Sequence, residues 1–115
     1  MHKRLVLLAA PLAVALSLPV RADIPEIAAA RAEGQAIHVT LAHPDTGWDH
    51  YADGWEVVTE DGTALGLRVL AHPHETEQPF TRSLRLDAPL PEGPVYVRAR
   101  CNVDGWGTDL VAITR

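Results

Sequence analysis

The chain of 115 residues is poor in cysteine and lysine, with Cys101 as its only cysteine and Lys3 as its only lysine. A lone cysteine cannot form an internal disulfide, so a small domain built from this chain must rely on its apolar core or on a bound metal. Residues 23–115 contain seven arginines against fifteen acidic residues, a formal net charge of −8 with histidine counted as neutral. This charge argues against a nucleic-acid partner and against an anionic membrane surface, because both require a basic face. The sequence also has no internal repeat and no glycine-rich phosphate-binding loop.

Long apolar runs are missing except for one near the N-terminus. Residues 1–4 are basic, residues 5–18 are apolar, and Val20-Arg21-Ala22 places small or apolar residues where a signal peptidase reads the chain. This pattern predicts a secretory signal peptide over residues 1–22, followed by a single domain over residues 23–115 that is periplasmic or secreted. The apolar run is short for a membrane span, so we expect no membrane attachment after cleavage. A retained amphipathic anchor is the alternative interpretation.

Short segments of alternating hydrophobicity, separated by turns, predict an all-β domain. The expected strands are residues 26–32, 36–42, 55–59, 65–71, 81–87, 95–100 and 109–114. The alanine-rich first segment also has helical propensity, and that interpretation stays open. About seven short strands without a clear helix favour an immunoglobulin-like β-sandwich.

Three loops between these strands carry side chains that bind metals. The first, residues 43–55 (HPDTGWDHYADGW), contains two histidines and three aspartates but only one aliphatic residue, so it follows neither helical nor strand periodicity. The second covers residues 72–80 and the third residues 101–107. Loops with many ligand-type side chains are more often functional than structural. Imidazole together with thiolate suits iron, copper or zinc, although solvated loop histidines are the simpler interpretation.

Four short motifs in these segments resemble the iron domain of the superoxide reductase family, which includes desulfoferrodoxin and neelaredoxin. The motifs are, in order, His43-Pro44, His50-Tyr51, Trp55-Glu56-Val57 and Cys101-Asn102-Val103-Asp104-Gly105. The resemblance begins near residue 37 and implies an immunoglobulin-like sandwich. It also implies ferrous iron held by four imidazoles and one axial thiolate, which reduces superoxide to peroxide with electrons from a small redox partner.

The resemblance carries over to particular residues. His43 and His50 match equatorial imidazole ligands, and Cys101 matches the thiolate. Asp104 stands where the family motif has a histidine, and a further upstream histidine of the family has no counterpart. Two histidines of the second loop are candidates to replace the missing ones. The predicted metal ligands are therefore His43, His50, Cys101, Asp104, His72 and His74. We expect iron, with copper or zinc as alternatives, and an activity that is altered or lost because a carboxylate replaces an imidazole.

The tryptophans support a competing hypothesis. Trp55 begins a predicted strand and is expected to lie in the core. Trp48 and Trp106 each follow a glycine within a loop, where they could cover a metal or form a surface for a partner. A metal-free immunoglobulin-like binding module is therefore the alternative function.

The carboxylates of the first two loops offer a further possible ligand set, for calcium. They are Asp45, Asp49, Glu75 and Glu77. Their spacing does not match a calcium-binding EF-hand loop, so the sequence favours solvated surface charge at these positions.

Overall fold

The computed structural model describes residues 23–115, and the predicted signal peptide lies outside them. Within this range the chain forms eight β-strands and no helix. Their bounds are β1 Glu26–Glu33, β2 Ala36–Ala42, β3 Ala52–Thr59, β4 Ala64–Val69, β5 Phe80–Arg85, β6 Val95–Cys101, β7 Gly105–Trp106 and β8 Val111–Ala112. Residues 23–115 accordingly include no helix with the length and apolarity to cross a membrane.

The strands form two antiparallel sheets that enclose one core. One sheet has the order β1-β2-β5, and the other has the order β4-β3-β6-β7, with β8 also paired to β6. Residues from both sheets share a single cluster of buried apolar side chains. This arrangement confirms the predicted all-β sandwich, and its division of strands between the sheets is that of an immunoglobulin-like fold.

The alternation of polar and apolar residues explains how the core forms. Strand β2 buries Ile37, Val39 and Leu41 on one face, and β6 buries every second residue from Val95 onward. Trp55 of β3 is fully buried among them, which confirms its predicted place in the core. Truncation of a buried tryptophan to alanine costs roughly 3–5 kcal/mol, so this side chain is a major contributor to stability.

Strand β3 begins earlier than the sequence predicts. We expected it to start at Trp55, but it starts at Ala52, so the first loop covers residues 43–51. The pairing of β3 with β6 shifts register between Ala52 and Gly54, the position of a β-bulge. A bulge interrupts the two-residue period, and periodicity therefore did not reveal these first strand residues.

The two ends of the domain also refine the prediction. The alanine-rich segment is strand β1 and not a helix, and it turns into β2 through Gly34, whose φ of 60° is in the left-handed region that glycine tolerates. The strand expected over residues 109–114 is reduced to Val111–Ala112, followed by a single bridge between Thr114 and Arg31.

The topology brings two loops to one end of the sandwich. Strand β2 ends at Ala42, immediately before the first loop, and that loop ends where β3 starts at Ala52. Ala52 is paired with Cys101, the last residue of β6. Because β3 and β6 are antiparallel, the loop that precedes β3 lies beside the turn that follows β6.

Candidate metal centre

Three of the predicted ligands meet at this end of the sandwich. The ligand atoms of His43, His50 and Cys101, here called the ligand trio, all lie within 4.8 Å of one another. Cys101 Sγ is 3.6 Å from His50 Nε2, and the two imidazole rings meet edge to face with centroids 4.9 Å apart. Two imidazoles and a thiol at these separations form a donor set suited to iron, copper or zinc.

Asp104 lies beside the ligand trio and offers a fourth donor. Its Oδ2 is 3.4 Å from Cys101 Sγ and 3.7 Å from His50 Nε2. The side chains of His50 and Asp104 are 24% and 25% exposed, so the cluster is open to solvent on this side. These four donors differ from the four imidazoles and one thiolate that the resemblance to superoxide reductases implies, because a carboxylate stands in the place of one histidine and a second histidine has no counterpart.

His43 is held by hydrogen bonds at both ring nitrogens. Its Nδ1 is 2.5 Å from Asp45 Oδ1, and its Nε2 is 2.7 Å from the carbonyl oxygen of Asp23. An oxygen that can accept a hydrogen bond therefore faces each ring nitrogen. A carboxylate behind one nitrogen is a common support for a metal-binding histidine, because it orients the ring and leaves the other nitrogen for the ion. A metal at Nε2 would replace the proton that the Asp23 carbonyl now accepts.

Asp45 is buried, which corrects its interpretation as solvated surface charge. Its side chain has no exposed area. It accepts hydrogen bonds from the backbone N–H groups of Ala52 at 2.9 Å and His74 at 2.8 Å, in addition to the His43 ring. The carboxylate therefore links the start of β3, the first loop and the second loop. The only sequence signal for this role is its position two residues after His43.

The Cys101 thiol is buried at the end of β6. Burial, opposed in part by hydrogen bonds from the backbone N–H groups of Asp104 and Val103, raises the pKa of this thiol. The negative charge of Asp104 acts in the same direction as burial. Cys101 is therefore a protonated thiol at neutral pH in the metal-free chain, and metal binding would have to release that proton.

Asn102 is a second residue whose role the sequence did not reveal. Its Oδ1 accepts a hydrogen bond from the backbone N–H of Tyr51 at 2.9 Å, and its Nδ2 donates to the carbonyl of Trp48 at 2.9 Å. Its own backbone N–H donates to the Tyr51 carbonyl. These contacts attach the first loop on both sides of His50 to the residue that follows Cys101, and so they set the spacing between these two candidate ligands.

His72 and His74 form a pair outside the ligand trio, with ring centroids 4.5 Å apart. His74 is 5% exposed and stacks on Phe80 at 3.9 Å, while its Nε2 accepts a hydrogen bond from Arg82 at 2.9 Å. Burial, followed by the Arg82 cation and His72, lowers the pKa of His74. His72 is exposed, and its Nδ1 lies 2.9 Å from the Pro73 carbonyl. Toward the centre, His74 donates its backbone N–H to Asp45 Oδ2 at 2.8 Å, and its Nδ1 lies 4.0 Å from the same oxygen.

The two loop tryptophans have different surroundings. Trp48 is 65% exposed and meets Tyr51 edge to face, with ring centroids 5.6 Å apart. Trp106 lies under two guanidinium groups, those of Arg98 at 4.7 Å and Arg100 at 5.0 Å from the ring centroid. Trp48 is therefore the loop tryptophan that presents its ring to solvent.

Fold and cluster together define this protein as an all-β sandwich domain with a His/His/Cys ligand group at one end. A relative from Halomicrobium mukohataei, described as a "Putative lipoprotein", is 38% identical over 94 residues, which make up 80% of this chain and 46% of the relative. The chain thus spans about half the length of the curated relative that it matches. No protein-family model matches the chain, and no solved structure matches it significantly. The likeness to superoxide reductases stays a prediction.

Proposed function

We propose that this chain is an exported domain that binds a transition metal, with iron as the first candidate, at the ligand trio and Asp104. The observation that carries the proposal is the distance of at most 4.8 Å between ligand atoms from two separate parts of the chain, the first loop and the end of β6. Export is supported by the signal-peptide pattern over residues 1–22 and by the description of the 38% identical relative as a lipoprotein.

Iron is proposed because the order of motifs resembles the superoxide reductase family and because imidazole and thiolate donors suit it. When bound, iron would supply the electron that reduces superoxide, and a small redox protein would restore that electron. The chain itself orients the His43 ring through Asp45, ties His50 to Cys101 through Asn102, and leaves one side of the cluster open to solvent.

We expect the chain's reactivity with superoxide to differ from that of the family. Asp104 contributes a charged oxygen where the family has a neutral imidazole, and it lies 3.4 Å from the thiol sulfur. A carboxylate stabilises the oxidised metal more than an imidazole does, so the reduction potential should fall. An iron-loaded chain that reduces superoxide as readily as an ordinary family member would contradict this expectation.

Metal analysis of the exported protein tests the proposal directly. We expect about one iron, copper or zinc ion per chain, as a single site of this donor set would hold. Cys101→Ser and His50→Ala should lose the metal, whereas His72→Ala should retain it because His72 is an exposed histidine outside the ligand trio. A wild-type chain that remains metal-free after anaerobic incubation with Fe²⁺ and Zn²⁺ would refute the proposal.

A binding module is the second candidate, supported by the exposed ring of Trp48. Aromatic side chains exposed at a loop end are common anchors at protein interfaces. In that case the protein would purify without metal, its stability would not change on chelation, and Trp48→Ala would weaken capture of a partner.

A further inference from the structure

The backbone of Asp23 lies against the candidate centre at two points. Its nitrogen donates a hydrogen bond to Asp104 Oδ2 at 3.1 Å, and its carbonyl oxygen accepts one from His43 Nε2 at 2.7 Å. His43 belongs to the first loop and Asp104 to the turn after β6, so the main chain of Asp23 lies between donors from two different segments.

The segment that carries Asp23 is anchored to the domain. Pro25 is buried, and strand β1 starts at the next residue. Ile24 packs so closely over Gly107 that a Cβ built on this glycine would come within 2.5 Å of Ile24 Cγ2. Asp23 itself is exposed, but the two residues that follow it are held by packing, which limits the positions that its nitrogen can take and reduces the entropy cost of using it as a ligand.

Cleavage after Ala22 changes the chemistry of this nitrogen. In the uncut chain it is an amide, whose lone pair is delocalised into the carbonyl group of Ala22 and is a poor metal donor. After cleavage at the predicted site it is a primary amine. The amine nitrogen and carbonyl oxygen of one residue can bind a single ion together, because they close a five-membered ring.

We propose that removal of the signal peptide completes the metal centre by making the α-amino group of Asp23 a ligand alongside the ligand trio. This inference rests on the proposed function. The metal takes the place of the proton on His43 Nε2, and the Asp23 carbonyl that accepted that proton turns to the ion. The precursor, in which this nitrogen is an amide, binds the metal more weakly, so the chain acquires its full affinity only after export.

The absence of lysine from residues 23–115 makes the proposal testable with an amine-selective reagent. The full chain is expressed with its own leader, the exported form is purified, and its N-terminus is determined by intact mass. After chelation, one half is acetylated with an amine-selective reagent, for which the α-amino group of Asp23 is the sole amine target in residues 23–115, and peptide mass mapping verifies that Cys101 and the tyrosines are unmodified. Competition titration with Zn²⁺, a redox-inert probe of the same donors, then compares the two halves.

We expect acetylation to weaken Zn²⁺ binding by at least about tenfold, since even outer-shell partners of a metal site are worth about 10–100-fold in affinity. Zn²⁺ added first should protect the amine from acetylation, and this protection should disappear in Cys101→Ser. A variant with one glycine inserted between Ala22 and Asp23 moves the amine away by one residue and should bind like the acetylated chain.

The outcomes separate this inference from the proposed function. Equal Zn²⁺ affinity before and after acetylation would overturn the inference and leave the ligand trio as the metal site. An exported chain whose first residue is not Asp23 would also overturn the inference about the α-amino group, and it would leave the proposed function unaffected. Failure of the unmodified chain to bind Zn²⁺ would overturn both.

Discussion

Replacement of Asp45 by asparagine tests whether this buried carboxylate holds the first loop and supports His43. The substitution keeps the size of the side chain but removes its charge and converts one oxygen to an NH₂ group. In the structure, Oδ1 accepts hydrogen bonds from His43 Nδ1 and Ala52 N–H, and Oδ2 accepts one from His74 N–H. Whichever way the amide is turned, its NH₂ group faces at least one buried N–H donor and leaves that donor without an acceptor.

The expected magnitude follows from these contacts. A buried donor without a partner costs about 1–3 kcal/mol, and a hydrogen bond to a charged group contributes about 1.5–3 kcal/mol. We therefore expect Asp45→Asn to lower the free energy of unfolding by about 2–4 kcal/mol. In a domain of this size each 1 kcal/mol moves the melting temperature by about 4–8 °C, so a drop of about 10 °C or more should be measurable. Loss of the support behind His43 should also weaken metal binding by about 10–100-fold.

The assay is urea unfolding of the exported protein followed by tryptophan fluorescence, together with Zn²⁺ titration of the folded chain. Asp49→Asn is the matched control, because Asp49 lies exposed in the same loop and the change in charge is identical. If the two variants unfolded at the same urea concentration and bound Zn²⁺ equally, the hydrogen bonds of Asp45 would not be needed to hold the first loop or to support His43.

Three further predictions concern individual side chains of the centre and its surroundings. Burial lowers the pKa of folded His74 below its ordinary value of 6.5, so the unfolded chain binds the proton more tightly and stability falls as the pH drops below that value. His74→Gln should therefore lose less stability than the parent between pH 7 and about pH 5, and equal losses in urea titrations would contradict this. Asn102→Ala removes two side-chain hydrogen bonds to the first loop, so we expect the free energy of unfolding in urea to fall by about 1–3 kcal/mol and Zn²⁺ binding to weaken. Unchanged Zn²⁺ binding would show that the loop keeps its position without these two hydrogen bonds. Because burial raises the pKa of the Cys101 thiol, Zn²⁺ affinity should fall about tenfold per pH unit for this one proton as the pH is lowered through neutrality. A Zn²⁺ affinity independent of pH would mean that no thiol proton is released.

Strand alternation and turn residues were sufficient to predict the all-β fold. Ile37, Val39 and Leu41 alternate with polar residues, and the structure buries all three. The turn between β3 and β4 contains Asp61-Gly62, a residue pair typical of hairpin turns, and Gly62 adopts a φ of 88° that other residues rarely take. These are local properties of the chain. The early start of β3 was not predictable in this way, because a bulge breaks the period on which the prediction depends.

By itself, the sequence determined which kinds of donor are present and that they lie in loops between strands. Only the tertiary structure decided which of them meet. The pairing of Ala52 with Cys101 places the ligand trio together, whereas stacking on Phe80 and a hydrogen bond from Arg82 hold His74 apart. The burial of Asp45 likewise depends on contacts with segments up to 29 residues away, as in its hydrogen bond from His74. These contacts between distant residues depend on strand register and loop packing, which no local pattern of residues encodes.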